Sequence, residues 1–298
     1  MNATQAPQSC PKSTVMFVGI GAIGLPMAEQ IARAGHTVIG VDPSARQREA
    51  AAAVGVPARA DVTGIDEADL VLVMVATPDQ LHQAVSAPGA ALDSMRPGAI
   101  LAVMSTVGPE PVREAARRAA EVGVRLVDVP VTGGVAGARR AALTLFASGD
   151  PTAIADCSEV LSTMGTLRDC GAEPGRGQSY KVVNQLLCSV HIVAAAEALA
   201  LAERLELDPA EVLDAVGGGA GASWMLGDRG PRMLPDAPEE ITSTIGIFVK
   251  DSTLVTDTAD AVGFSAPLAE AARAAYEKAA GSGLLDRDDS QVIQVYRD

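Results

Sequence analysis

Histidine and cysteine, the residues that most often hold metals or act as nucleophiles, are scarce in this chain of 298 residues, with three and four of them. His36 precedes a strand-like run, His82 falls in a short polar helix and His191 reads as a packed helix residue, so the chemistry is not expected to use histidine. Cys10, Cys157, Cys170 and Cys188 contain no Cys-x-x-Cys pair. That argues against a zinc site, a disulfide framework or any bound metal, and fits a reducing cytoplasm. Positive charge is short too: 23 lysines and arginines face 37 acidic residues, and a net charge of −14 lacks the basic face that nucleic-acid phosphates require. No apolar run reaches the ~20 residues of a membrane span. The polar first dozen residues lack the basic and apolar regions of a signal peptide. The expectation is a cytoplasmic protein with a flexible tail over residues 1–12 and neither nucleic-acid nor membrane partners.

Small apolar residues and glycine are abundant instead, and their order between Thr14 and Asp42 is informative. Thr14 to Val18 reads as a buried strand. Gly19, Gly21 and Gly24 follow, with Ala22 and Ile23 among them, then an alanine-rich helical run from Ala28 to Ala34 and a second strand, Val38 to Val41, ending on Asp42. Gly19 permits a tight strand-to-helix turn, Gly21 lets backbone N–H groups approach a pyrophosphate, and Gly24 lets the helix pack close to the strand. Asp42 then stands where a ribose hydroxyl binds. A carboxylate there repels a 2′-phosphate, and Pro43, Ser44 and Ala45 follow it, with Arg46 and Arg48 nearby. NAD is expected over NADP.

Helix and strand keep alternating: Ala45 to Val54 as helix, then apolar strands at Leu70 to Val75, Ala99 to Met104, Val124 to Val127 and Leu143 to Ala147. Ala76, Thr77, Pro78 and Thr106 follow strand ends, the side of such a sheet where ligands bind, so they are expected to join Gly19–Gly24 and Asp42 in one crevice over the cofactor. Beyond Gly177 the alternation stops. Tyr180 to Leu205 reads as one long helix, apolar on more than one face, followed by helices at Pro209–Val216, Ile247–Val262 and Pro267–Ala280. The expected architecture is α/β: a Rossmann-type dinucleotide-binding domain over 13–176, then an all-α domain over 177–298, joined by a long bridging helix.

Three further segments carry chemistry. In Asp128-Val129-Pro130-Val131-Thr132-Gly133-Gly134, two glycines after a hydroxyl residue offer N–H groups to an anion such as a substrate carboxylate. In Gly175 to Gln185, Lys181 lies in the first turns of the apolar helix, with Gln185 on the same face and Asn184 slightly rotated. An amine and an amide directed together into an interdomain cleft can move a hydroxyl proton and hold a substrate, whereas a lysine of this kind otherwise snorkels to the surface. In Phe248-Val249-Lys250-Asp251, Lys250 opens a helix turn and is within reach of a cofactor.

With the glycine segment from Phe17 to Ala28, these stretches resemble the β-hydroxyacid dehydrogenase family, which includes 3-hydroxyisobutyrate dehydrogenase and tartronate semialdehyde reductase, over nearly the whole chain from Val15 to about Tyr296. The resemblance implies that Lys181 is the catalytic lysine. It implies that Thr132, Gly133 and Gly134 hold the substrate carboxylate, where the family usually has Ser-Gly-Gly, and that Thr106 and Lys250 contact the nicotinamide cofactor. Many members carry asparagine at the position of Gln185, so the substrate-binding amide is Asn184, Gln185 or both. Ala141 stands where glycine is frequent. The family's imine reductases replace the lysine, and Lys181 argues against that activity. Stretches around Trp224, Arg229, Lys250 and Ser290 look most like the L-threonate dehydrogenase branch. The implied function is NAD-dependent hydride transfer from a small hydroxy acid, with a four-carbon sugar acid such as L-threonate foremost. Alternatives are 3-hydroxyisobutyrate dehydrogenase or a tartronate or succinic semialdehyde reductase and, in another class, a non-catalytic dinucleotide sensor. The apolar helical domain and the resemblance together imply a homodimer or homotetramer.

Overall fold

The computed structural model describes residues 12–238 and 241–297. The tail expected over residues 1–12, Lys12 apart, and Cys10 within it lie outside the described residues. The chain divides into two compact units, one of residues 1–105 and 110–176, the other of 106–109 and 177–298.

The first unit alternates strand and helix. In order come β1 (Thr14–Val18), α1 (Gly24–Arg33), β2 (Thr37–Val41), α2 (Ala45–Ala53), β3 (Ala58–Arg59), β4 (Leu70–Val73), α3 (Pro78–Val85), α4 (Ala91–Ser94), β5 (Ile100–Val103), α5 (Pro109–Glu121), β6 (Arg125–Asp128), β7 (Val131–Thr132), α6 (Gly134–Arg139), β8 (Leu143–Gly149), α7 (Pro151–Ser162) and β9 (Gly165–Asp169). The sheet runs β3-β2-β1-β4-β5-β6-β8-β7, with β9 on β8. The first six of these strands pair in parallel, in the register Val15↔Val38 and Val15↔Leu70, while β8 runs antiparallel to β6 and β7. The central strands β4 and β5 are buried at every position. That is the mark of a parallel sheet covered on both faces, and it explains their continuous Val/Leu/Ile/Ala runs. Val15, Phe17, Ile31, Leu72 and Met104 form its core, each worth roughly 1.5–3 kcal/mol on burial. The expected strands are present. The edge strand β9 and the two short strands β3 and β7 carry no such apolar run and escaped the sequence reading.

The second unit is helical: α8 (Arg176–Arg204, all but its first residue), α9 (Pro209–Gly217), α10 (Trp224–Met233), α11 (Ile245–Ala261), α12 (Pro267–Ala279) and α13 (Gln294–Arg297). Among its described residues the only extended pairing is one bridge, Thr244 with Asp288. Its core gathers Ile192, Leu199, Phe248, Tyr276 and Ile293, with the rings of Phe248 and Tyr276 stacked 5.2 Å apart. Contrary to the sequence expectation, α8 is long and apolar enough by length and composition to cross a membrane. Half of its most apolar stretch is buried inside the protein, however, and its buried residues include Gln178, Lys181, Gln185 and Ser189. Spaced by three and four residues, these four make a polar stripe on a buried face, as in a core helix with work to do.

Candidate active site

In the first unit, Gly19 closes β1 at φ +89°, and a Cβ there would come within 2.2 Å of the Met74 carbonyl oxygen, so only glycine fits. Gly24 opens α1 with equally little room, 2.0 Å from the Gly19 carbonyl oxygen. Gly21 differs, since a side chain there would meet nothing within 4 Å. The helix N-cap, Ile23, offers no side-chain acceptor; the Leu25 N–H donates to the Gly21 carbonyl at 3.0 Å and Pro26 has no N–H, so the donors that face an incoming group are those of the turn itself, Ala22 to Gly24. Open space before uncapped donors at the positive end of a helix dipole fits a pyrophosphate.

Asp42 follows β2, next to β1 in the sheet. Its Oδ1 accepts from the Ser44 N–H at 2.9 Å, while no described residue donates to Oδ2. Arg48 lies against the same loop, donating through Nη1 to the Asp42 and Pro43 carbonyls at 2.8 Å each. Beyond β4, Thr77 caps α3 by accepting from the Gln80 N–H, and the Gln80 Oε1 accepts from the Ala76 N–H in return. Pro78 stands in the helix's first turn, so Ala76–Pro78 forms a fixed loop. Ser105 Oγ, fully buried, accepts from the Val75 N–H at 2.8 Å. The ends of β1, β2 and β4 thus put Gly19–Gly24 (Ala22 and Ile23 included), Asp42 and Ala76–Pro78 on neighbouring strands. Thr132 ends β7 at the far end of the strand order, Gly133 follows at φ +125° as the cap of α6, and Gly134 faces open space. Asp128, read from sequence only as part of that segment, is buried and structural: its Oδ2 accepts from Ser148 Oγ and the Gly175 N–H at 2.9 Å each. A separate cavity of about 310 Å³ at the start of β4, β5 and β6 holds Arg96 paired to Asp69 and Arg125 to Asp156, and none of the expected site residues.

Thr106 follows β5 in the chain, and the segment Thr106–Pro109 packs with the helical unit. Gln178, fully buried on α8, accepts through Oε1 from the Val107 and Gly108 N–H groups at 3.1 and 3.0 Å, and Lys250 Nζ donates to the Thr106 carbonyl at 2.8 Å. Contrary to the sequence expectation, Lys250 does not open a helix turn. Thr244 caps α11 by accepting from the Ile247 N–H, so Lys250 lies in the second turn.

Lys181 is 7 % exposed, on the face of α8 that also buries Gln178 and Gln185. Burial pushes its ammonium form down, against the pull of Cys188 and Asp251 and with the help of Lys250, for a net lowered pKa. Beside it runs a chain of hydrogen bonds. Asn184 Nδ2 donates to Gln185 Oε1 at 2.8 Å, and Gln185 Nε2 donates to Asp251 Oδ2 at 2.5 Å. Lys250 Nζ lies 2.7 Å from Asp251 Oδ1, an ion pair outside hydrogen-bond alignment, so that buried oxygen and Ser189 Oγ have no hydrogen-bond partner among the described residues. Lys181, Asn184, Gln185, Lys250 and Thr106 are therefore brought together. Gln178 and Asp251 were missed as site residues, although Asp251 directly follows Lys250 and Gln178 sits one turn before Lys181.

A glycine-turn sheet followed by such a helical unit defines an NAD(P)-dependent dehydrogenase. Residues 14–177 match the NAD-binding domain of 6-phosphogluconate dehydrogenase, and residues 175–296 match the NAD-binding domain of NADP-dependent 3-hydroxyisobutyrate dehydrogenase. The chain is 36 % identical over 282 residues to L-threonate dehydrogenase of Cupriavidus necator, covering 94 % of both chains. Two solved structures are similar as well. One is 3-hydroxyisobutyrate dehydrogenase of Salmonella typhimurium, at TM-score 0.89 and 32 % identity over 95 % of this chain and 100 % of that one. The other is the Mycobacterium tuberculosis enzyme of that name with L-serine, at TM-score 0.84 and 31 % identity over 97 % and 100 %. The chain belongs to the β-hydroxyacid dehydrogenase family. It is an enzyme, which removes the non-catalytic sensor from consideration.

Proposed function

We propose that this enzyme oxidises a small hydroxy acid with NAD, a four-carbon sugar acid such as L-threonate foremost. The observation that carries the reading is a buried lysine whose pKa is lowered by its burial: Lys181 lies on the same helix face as Gln185, and the Gln185 amide is held by Asp251. Oxidation of a CH–OH group releases a hydride and a proton. The nicotinamide supplies the hydride acceptor when bound. Lys181 takes the hydroxyl proton as a neutral amine and returns it as ammonium in reverse. Gln185 and Asn184 orient the hydroxyl-bearing carbon, and the N–H groups at Thr132, Gly133 and Gly134 hold the carboxylate. Gly19, Gly21, Ala22, Ile23 and Gly24 cradle the pyrophosphate, Asp42 takes the ribose, and Ala76, Thr77, Pro78 and Thr106 line the rest of the cofactor. Lys250 contributes by fixing the Thr106 carbonyl beside it. The 3-hydroxyisobutyrate dehydrogenases among the similar structures make that acid the second candidate.

The preference for NAD rests on the β2 tip, against a C-terminal family description that names an NADP-dependent enzyme. Two unit charges about 5 Å apart repel by roughly 3 kcal/mol at an effective dielectric of about 20. Half of that is about a tenfold preference. Turnover of a panel of C3 to C6 hydroxy acids and uncharged alcohols with NAD and NADP tests both points. NAD and the four-carbon acid should give the highest kcat/KM, uncharged alcohols should be poor, and Asp42→Ala should narrow the gap between cofactors. Better turnover with NADP, or of neutral alcohols, would sink the corresponding assignment.

A homodimer or homotetramer is proposed from the outer face of α8, where Tyr180, Val183 and Leu187 are exposed at three- and four-residue spacing and Leu201 further along the helix is exposed too, with Leu205 just past its end. Light scattering at micromolar concentration should give at least twice the mass of one chain; a monomer would contradict it. A cytoplasmic location is the reading that the scattered thiols support.

A further inference from the structure

The segment Thr106–Gly108 is fixed from two helices at once. Val107 and Gly108, both buried, aim successive N–H groups at one oxygen, Gln178 Oε1 on α8, at 3.1 and 3.0 Å. Two such amides form the kind of concavity that loops otherwise offer to anions. A neutral side-chain carbonyl fills it here, so the loop is set by the protein before any ligand arrives. From α11, Lys250 Nζ donates to the Thr106 carbonyl at 2.8 Å. Gly108 turns at φ +90°, so close to α11 that a Cβ would lie 2.8 Å from Leu254 Cδ1. Both holders belong to the surroundings of Lys181. Gln178 is fully buried and precedes Lys181 by three residues, one helical turn, on the same face. Lys250 adjoins Asp251, whose carboxylate fixes the Gln185 amide one turn to the other side of Lys181. Loop and amine are thereby held in one packed assembly.

We propose that Gln178 is a positioning residue: by holding the Val107 and Gly108 amides it keeps Thr106, and the nicotinamide against it, in register with Lys181. This rests on the hydroxy-acid reading above, which lines the cofactor with Thr106. Hydride and proton leave one CH–OH group, the hydride for the nicotinamide and the proton for Lys181, so acceptor and base must stand in a fixed relation. A misplacement of about 1 Å costs on the order of 100-fold in rate. The turn at Gly19–Gly24 and Asp42 do not depend on Gln178, so its loss should show in kcat and not in dinucleotide affinity.

The experiment compares full-length wild type, Gln178→Met and Gln178→Glu. Methionine keeps the length of the side chain and removes the acceptor; glutamate keeps an acceptor oxygen and adds a charge one turn from Lys181. The measurements are kcat against pH with whichever hydroxy acid gives the highest kcat/KM, calorimetric Kd for NAD and NADP, and hydrogen exchange of the Val107 and Gly108 amides. Gln178→Met should lose about 10- to 100-fold in kcat with Kd little changed, and its two amides should exchange faster. Gln178→Glu should recover most of that kcat at its plateau and keep the amides protected. Its rising limb should move to higher pH, because a further carboxylate favours the Lys181 ammonium, whose other titratable neighbours are Cys188 on α8 and Asp251 and Lys250 on α11. Should the methionine variant fail to fold, the glutamate variant decides: a raised limb with protected amides supports the role, and an unmoved limb overturns it. Unchanged kcat in Gln178→Met, a glutamate variant no better than it, or equal amide protection in all three overturns the role of Gln178 and leaves the hydroxy-acid reading standing. A wild type that oxidises no hydroxy acid with either dinucleotide overturns both.

Discussion

Replacing Lys181 with methionine is expected to lower kcat by at least about 100-fold, the lower end for general acid–base catalysis, with NAD binding little changed. Methionine keeps the length and apolar contacts of the buried stem and removes only the group that carries the proton. The wild-type oxidation rate should rise with pH through the Lys181 pKa, because only the neutral amine can accept a proton. That limb should lie below the ~10.4 of an ordinary lysine, since burial disfavours the ammonium. Cys188 on α8, and Asp251 and Lys250 on α11, are the titratable neighbours that set where it falls. In the reductive direction the dependence reverses, and in Lys181→Met the limb should vanish. Near-normal kcat in the variant would make Lys181 a positioning residue and refute the mechanism.

The second large effect is on stability. Arg229→Met is expected to cost roughly 3–5 kcal/mol, because it strands a buried carboxylate. Arg229 Nε and Nη2 donate to the two Asp289 oxygens at 3.0 and 2.8 Å, and Arg229 also pairs with Asp228. Asp289 is fully buried, and burial pushes its carboxyl up to about 6 even with Arg229 pulling it down. By contrast the exposed pair Arg273–Glu277 should be worth no more than about 1 kcal/mol. The Tm of Arg229→Met should fall by about 6–20 °C. The deficit should narrow in acid, where the stranded group is neutral and its burial is cheap. A loss below about 1 kcal/mol in urea unfolding would mean that the pair contributes no more than a surface one.

The parts of this enzyme legible in sequence are those whose signature is local. Gly19, Gly24 and the acid after β2 lie within thirty positions of one another and are read from that spacing, although the atom that forces glycine at 19 is the Met74 carbonyl oxygen, 55 residues on, and continuous apolar runs betrayed β4 and β5. What escaped depends on distant partners. Helix α10 contains Gly227, Gly230 and Pro231, poor helix formers, and is held instead by Arg229 and Arg232 pairing with Asp289 and Asp288, 60 and 56 residues away. Strand β9 alternates exposed and half-buried positions at the sheet's edge and so has no apolar signature. At the site, Lys181 and Gln185 were visible as polar residues four apart on an apolar helix. Asp251, which orients that amide, is 66 residues further on, and no spacing rule connects them.

The four residues Thr106–Pro109 make the order of synthesis differ from the order of assembly. They leave the ribosome about seventy residues before Gln178, the acceptor of two of their N–H groups, and 144 residues separate Thr106 from its donor Lys250. Until then water must satisfy those groups. Since domains generally fold as units during synthesis, the first unit forms around a loop whose own partners do not yet exist. Cutting the gene after residue 176 would not yield a clean dinucleotide-binding fragment, but one with a strap that has lost its buckle.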